Sequence, residues 1–201
     1  MIEQEISDEQ WLEGIRSGNE EMIRLLVHRY QDKVLRLAYI HTHRWQDSEE
    51  IAQEVFVKIY RNASMFRGAA KLSTWVYRIA VNECIDFLRK QKRRPWLGQS
   101  KYERESEKNE DALEKIRSSE STRAHAENKE IKAAIDKAVQ LLPEKQKAIF
   151  TLFYLESLKI EEIAEILKVS EGNIKAQLWQ AREKLKKGLT PLFGADSRRK
   201  I

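Results

Sequence analysis

From Met22 to Ala38 the apolar side chains Met22, Leu25, Leu26, Tyr30, Val34, Leu37 and Ala38 recur at intervals of three and four residues. That spacing gathers them on one face of an α-helix and scatters them over both faces of a strand, so it predicts a helix with one side on a core. The period returns at Ile51, Val55, Phe56 and Ile59, at Trp75, Val76, Ile79, Ala80, Ile85 and Leu88, and at Ile131, Ile135, Val139 and Leu142. Helices of this kind must cover one another's stripes, which makes the chain all-α. Seven glycines and three prolines in 201 residues agree, because a β-rich chain needs turns far more often. Local signals punctuate the pattern. Ser7 with Gln10 is a capping box opening a short helix through Trp11, Leu12 and Ile15, which Gly18 and Asn19 end. Ser73 or Thr74 caps the helix that begins near Trp75 and stops near Pro95, and Pro143 starts another that carries Ala148 to Leu155.

Between Trp96 and Ala126 large apolar residues are scarce and charged residues and serine dominate, so no core forms there. Two small helical domains joined by a charged linker follow: residues 1–95, a linker over 96–126, residues 127–190, and a basic tail over 191–201. The formal charge of +5 permits a polyanionic partner, and its distribution says more. Arg89, Lys90, Lys92, Arg93 and Arg94 form one basic block, and Arg182, Lys184, Lys186 and Lys187 another. Asp47, Glu49, Glu50 and Glu54 are the acidic counterpart. Any one such run taken singly is also what a solvated helix face looks like.

Several function classes drop out. Cys84 is the single cysteine and sits among apolar residues at helical spacing, so it reads as a buried structural thiol in a reducing cytoplasm. Of the four histidines, His41 and His43 are two residues apart on a helix and point to different faces, so no metal set emerges. No paired carboxylates, activated nucleophile or phosphate loop is present, and no cofactor is implied. Glu49 and Glu50 are adjacent and diverge. An enzyme is therefore not expected. Membrane insertion is not expected either, because the longest apolar stretch, Ala148 to Leu155, is too short to span a bilayer and Glu3 and Glu5 stand where an export signal is basic.

The sharpest local pattern runs from Ile160 to Leu185. A first helix turns Ile163, Ala164 and Leu167 inward, the chain reverses through Lys168, Val169 and Ser170, and a second helix buries Ile174, Leu178, Ala181 and Leu185. This is a helix-turn-helix: small Ala164 permits a close crossing, Val169 plugs the turn and Ile174 anchors the second helix. A positive φ at Lys168, where glycine is usual, costs about 1 kcal/mol. With that stripe buried, Asn173, Lys175, Ala176, Gln177, Trp179 and Gln180 face a major groove, and Arg182, Lys184, Lys186 and Lys187 face phosphates. A plain helical hairpin with a charged outer face is the bland alternative.

A second segment runs from Asp47 to Arg94: an acidic helix, a glycine-broken loop with Phe66, and a helix led by Trp75 that ends in arginine and lysine. The loop fits capture of a base that has left the stack, whereas Phe66 and Trp75 taken by themselves fit ordinary core better. The strings Asp47-Ser48-Glu49-Glu50-Ile51-Ala52-Gln53-Glu54-Val55-Phe56, Phe66-Arg67-Gly68 and Ser73-Thr74-Trp75-Val76-Tyr77-Arg78-Ile79-Ala80-Val81-Asn82, with Asp86 and Arg89 after them, resemble region 2 of the extracytoplasmic-function sigma factors. Leu142-Pro143-Glu144 and the helix-turn-helix resemble their region 4. The resemblance implies a bacterial initiation subunit that docks on core RNA polymerase and opens promoter DNA. It assigns Asp47, Glu50, Gln53 and Glu54 to polymerase. Phe66, Arg67, Lys71, Trp75, Arg78, Asn82 and Arg89 go to the melted −10 element. Asn173, Lys175, Ala176, Gln177, Trp179, Gln180, Arg182 and Lys184 go to the −35 duplex. An inhibitory anti-sigma factor is a further implied partner. Two departures stand out: Glu50 where many members have aspartate, and Ala176 with Gln180 where many have serine and a second arginine, which puts the usual −35 sequence in question. The rival reading is a one-component helix-turn-helix regulator, dimeric on palindromic DNA.

Overall fold

The structure is a computed structural model that describes residues 6–66, 68, 70–93, 135 and 137–193. The expected linker at 96–126, Arg67, Arg94, Ile131 and the tail beyond 193 lie outside the described residues. Every regular element among the described residues is a helix, and they fall into two compact units, one up to Arg93 and one from Ile135 onward.

The first unit contains α1 (Asp8–Arg16), α2 (Glu20–Thr42), α3 (Trp45–Arg61), a 3-10 turn (Ala63–Met65) and α4 (Leu72–Lys92). The capping box is formed: Gln10 N donates to Ser7 Oγ (3.3 Å) and Ser7 N donates to Gln10 Oε1 (2.8 Å). Gly18, at φ 70, ends that helix, and Asn19 immediately starts the next by accepting from the amides of Glu21 and Met22. α1 lies close on α2 because Gly14 has no side chain; a Cβ there would fall 2.4 Å from Met22 Cγ. The core is built from Leu26, Val34 and Leu37 of α2, Ile51, Val55 and Ile59 of α3, and Val76, Ala80, Val81 and Cys84 of α4. Leu25, expected in that core, is exposed, because it stands at the edge of a stripe that Leu26 and Tyr30 already fill. Ser73 and Thr74 do not cap α4. The helix begins at Leu72 with Lys71 at the cap position and no side-chain bond, since burial of both Leu72 and Thr74 fixes the first turn earlier.

A buried carboxylate ties α3 to α4 beside this core. Lys58 of α3 donates to the carboxylate of Glu83 on α4, and Glu83 is almost wholly buried. The hydrogen bond to Glu83 raises the Lys58 pKa above its ordinary value against the opposing effect of burial, with Glu54 and Asp86 adding smaller favourable fields. A raised folded-state pKa means that the stabilisation is complete below the unfolded lysine value and disappears as pH climbs through the folded one, so the loss falls in the alkaline range. Lys58→Met is expected to destabilise this unit by roughly 1–2 kcal/mol at neutral pH, since Glu83 is left buried without its donor. The same variant loses part of the alkaline slope, as thermal melts at neutral and strongly alkaline pH will measure.

The second unit has helical residues at 137–140, then α5 (Glu144–Tyr154), α6 (Ile160–Leu167) and α7 (Glu171–Phe193). Pro143 sits at the start of α5, with Leu142, Ala148, Ile149 and Leu152 in the core. Lys168 adopts φ 54 and passes its amide to the carbonyl of Ala164, so the turn is left-handed without glycine. Ser170 then opens α7 by accepting from Asn173 N (3.3 Å). Ile174, Leu178, Ala181 and Leu185 are buried as expected. Val169 is not: it is 36% exposed, while Ile166, on the same face of α6 as Ile163, is buried.

Candidate nucleic-acid interface

In the second unit the buried stripe of α7 turns the opposite face outward. Asn173, Lys175, Ala176, Gln180, Arg182 and Lys184 are exposed, Gln177 is half-buried and Trp179 is 64% exposed. These side chains are not equally free to meet a ligand. Lys175 lies 3.6 Å from Glu171 one turn earlier, an exposed pair that a phosphate displaces at little cost. Arg182 is held by α5: its Nε donates to the Tyr154 hydroxyl and its guanidinium lies 5.6 Å from the centre of that ring. Gln177, Gln180 and Lys184 all bond to Gln146 of α5, a residue that sequence reasoning passed over. It stands 31 to 38 positions away in the chain, and only the crossing of α5 and α7 brings it there.

The first unit has its own array on α4 and the cap residue before it. Lys71, Trp75, Arg78, Asn82 and Arg89 follow one another at intervals of four, three, four and seven. That spacing lines them along a single side of the helix, opposite the side that buries Val76, Ala80, Val81 and Cys84. Lys71, Asn82 and Arg89 are exposed, Trp75 and Arg78 are half-buried, and Arg89 holds Asp86 at 3.0 Å. Phe66 takes the core place that it fits better by itself and is not an exposed base-catching ring. It is 3% exposed and stacks under Trp75, with ring centroids 4.9 Å apart and planes at 24°. An apolar ring at the foot of the loop gains more from burial than from waiting in water.

On α3, Glu50 and Gln53 are exposed and Glu54 is half-buried. Asp47 does not share that surface. It is 9% exposed, both of its oxygens accept from Arg44 Nη1 at 3.1 Å, and Gln91 Nε2 reaches it from α4 at 3.3 Å. It joins the start of α3 to the end of α4, a structural task in which its charge is already satisfied.

Residues 26–94 match the family Sigma-70 region 2, and residues 132–185 match Sigma-70 region 4. The RNA polymerase sigma-H factor of Pseudomonas aeruginosa is 36% identical over 194 residues, covering 96% of this chain and 98% of its own length. The extracytoplasmic-function (ECF) sigma-E factor of Haemophilus influenzae is 32% identical over 190 residues, covering 94% and 99%. The chain belongs to the ECF sigma factors. Two solved structures carry the same fold. CnrH in complex with the cytosolic domain of CnrY has a TM-score of 0.64 at 18% identity, over 94% of this sigma factor and 98% of that chain. The sigma factor RpoE in complex with the anti-sigma factor NepR from Bartonella quintana has 0.60 at 17% identity, over 83% and 96%. As a member of this family the protein binds core RNA polymerase and directs promoter-specific initiation. The rival picture of a one-component regulator gives way, because the first unit is sigma region 2 and not a ligand sensor. Among the described residues no helix is long and apolar enough to cross a membrane.

Proposed function

We propose that the two units divide promoter recognition between them, with residues 1–95 acting as region 2, residues 127–190 as region 4, and residues 96–126 as a linker whose span polymerase fixes. The outer face of α7 reads the −35 duplex: Asn173, Lys175, Ala176, Gln177, Trp179 and Gln180 meet base edges, and Arg182 and Lys184 meet phosphates. The stripe Lys71, Trp75, Arg78, Asn82 and Arg89 of α4 holds the melted −10 strand, with cations on the backbone and the indole as a stacking surface. Arg67 joins it by its place in the sequence, and Phe66 serves from beneath Trp75. Glu50, Gln53 and Glu54 dock on core polymerase. The factor does no chemistry of its own and acts in the cytoplasm. It is restrained by an anti-sigma partner, as RpoE of Bartonella quintana is paired with one.

The alignment of two cations, an indole, an amide and a further arginine along the solvent side of α4 carries this reading, because a helix that needed only to pack has no reason to align them. Each unit alone touches little of the promoter, so affinity arises when polymerase holds both on one stretch of DNA. The test is transcription from a promoter pool by purified core enzyme with and without the protein. Weak binding of free promoter fragments and a new set of start sites with core enzyme is the expected result. An unchanged choice of start sites would overturn the proposal. In the same assay Lys71→Ala and Arg89→Ala should weaken binding alike on all sequences. Each should also lower the salt dependence, by a slope of about one for every phosphate that is no longer neutralised.

A further inference from the structure

Gln146 is 4% exposed and lies on α5, yet every polar atom of its side chain is committed to α7. Its Nε2 donates to Gln177 Oε1 at 2.9 Å and to Gln180 Oε1 at 3.0 Å, and its Oε1 accepts from Lys184 Nζ at 3.0 Å. A glutamine amide carries an acceptor at one end and donors at the other, and normally presents either. Here the acceptor ends of both α7 glutamines are turned toward the same buried donor, which leaves their NH2 groups for whatever approaches the outer face. The polarity is fixed from behind: Lys184 can only donate, so it holds the Gln146 oxygen, and the Gln146 nitrogen must then face the other two side chains. Once oriented in this way, Gln177 and Gln180 lose the paired donor and acceptor pattern by which a free glutamine recognises adenine.

We propose that Gln146 is a positioning residue for −35 specificity: by fixing the amides of Gln177 and Gln180 with their donors outward, it selects base edges that present acceptors. Guanine, with O6 and N7, and thymine, with O4, meet that requirement, adenine meets it at N7 alone beside its amino group, and the cytosine amino group does not. This rests on α7 being the −35 reader, so the test must separate the two claims.

The holoenzyme of core polymerase and the full chain is offered promoters randomised across the −35 element with the −10 element held constant, and the products are sequenced. The unaltered protein is expected to favour acceptor-bearing edges at the two positions facing Gln177 and Gln180. Gln146→Leu, of similar volume and no polarity, frees both amides, and the preference at those positions should fall by about five- to tenfold. Gln146→Glu, nearly the same shape, replaces the donor by an acceptor. Both amides then turn over, and selection should move toward the amino groups of cytosine and adenine. This variant keeps the test sharp if the leucine one folds poorly, because a reversal of base preference is not a consequence of instability. Unchanged preferences in both Gln146 variants, with altered ones in Gln177→Ala and Gln180→Ala, would overturn the role of Gln146 and leave α7 as the reader. Unchanged preferences in all four would remove both.

Discussion

Reversing the charges of Glu50 and Glu54 together, as Glu50→Lys with Glu54→Lys, is expected to abolish promoter-directed transcription, by about 100-fold or more, in a protein that still folds. Both carboxylates lie on α3 away from the stripe of Ile51, Val55 and Ile59, so neither side chain enters the core. A like charge set against a complementary interface costs several kcal/mol, and each 1.4 kcal/mol is about tenfold in affinity. Glu50 is exposed and its reversal disturbs nothing internal. Glu54 contributes to the field at Lys58, so its reversal weakens the Lys58 to Glu83 pair slightly. Glu54→Gln alone serves as the control for that effect. Co-purification with core polymerase and transcription in the same preparation are the measurements, with thermal melts to verify the fold. Full activity in the double variant would mean that polymerase docks elsewhere. Asp47→Asn should behave differently: its oxygens serve Arg44 and Gln91, so it is expected to shift the melting temperature more than polymerase affinity.

The helices and their buried faces were largely legible in the residues, because apolar period, caps and turn residues are local. The stripe Ile174, Leu178, Ala181 and Leu185, the Ser7 box and the left-handed Lys168 are all settled within a few positions of chain. Position at the margin of a stripe was not legible. Leu25 and Val169 have the right chemistry for the core, and which apolar residue fills a given space depends on the neighbouring helix. Bonds between helices were hidden for the same reason. Lys58 and Glu83 are 25 positions apart, and Gln146 and Gln180 are 34 apart; nothing in the local pattern marks either pair. Asp47 shows the complementary failure. An acid in an acidic run reads as surface until Gln91 arrives from another helix to bind it.

Phe66 and Trp75, which taken alone fitted core better than base capture as sequence, should separate cleanly when each is truncated. Phe66→Ala removes a ring that is 3% exposed and is expected to cost about 3 kcal/mol, lowering the melting temperature by about 12 °C or more in a unit of this size. Its effect on promoter opening then follows from a loosened Trp75, and Phe66→Leu restores most of the stability and part of the opening. Trp75→Ala should do the reverse: a half-buried ring contributes less to the fold, while a lost stacking surface weakens capture of an unstacked base by about 1–3 kcal/mol, roughly 5- to 150-fold. The two quantities to compare are the melting temperature of each variant and the binding of single-stranded −10 DNA by the holoenzyme. A Phe66→Ala protein that melts normally yet fails to hold the strand would show that Phe66 leaves its place under Trp75 to meet the base itself. The stacked arrangement favours the other outcome, because moving the ring exposes apolar surface on both aromatic residues at once, and a single base must then repay both.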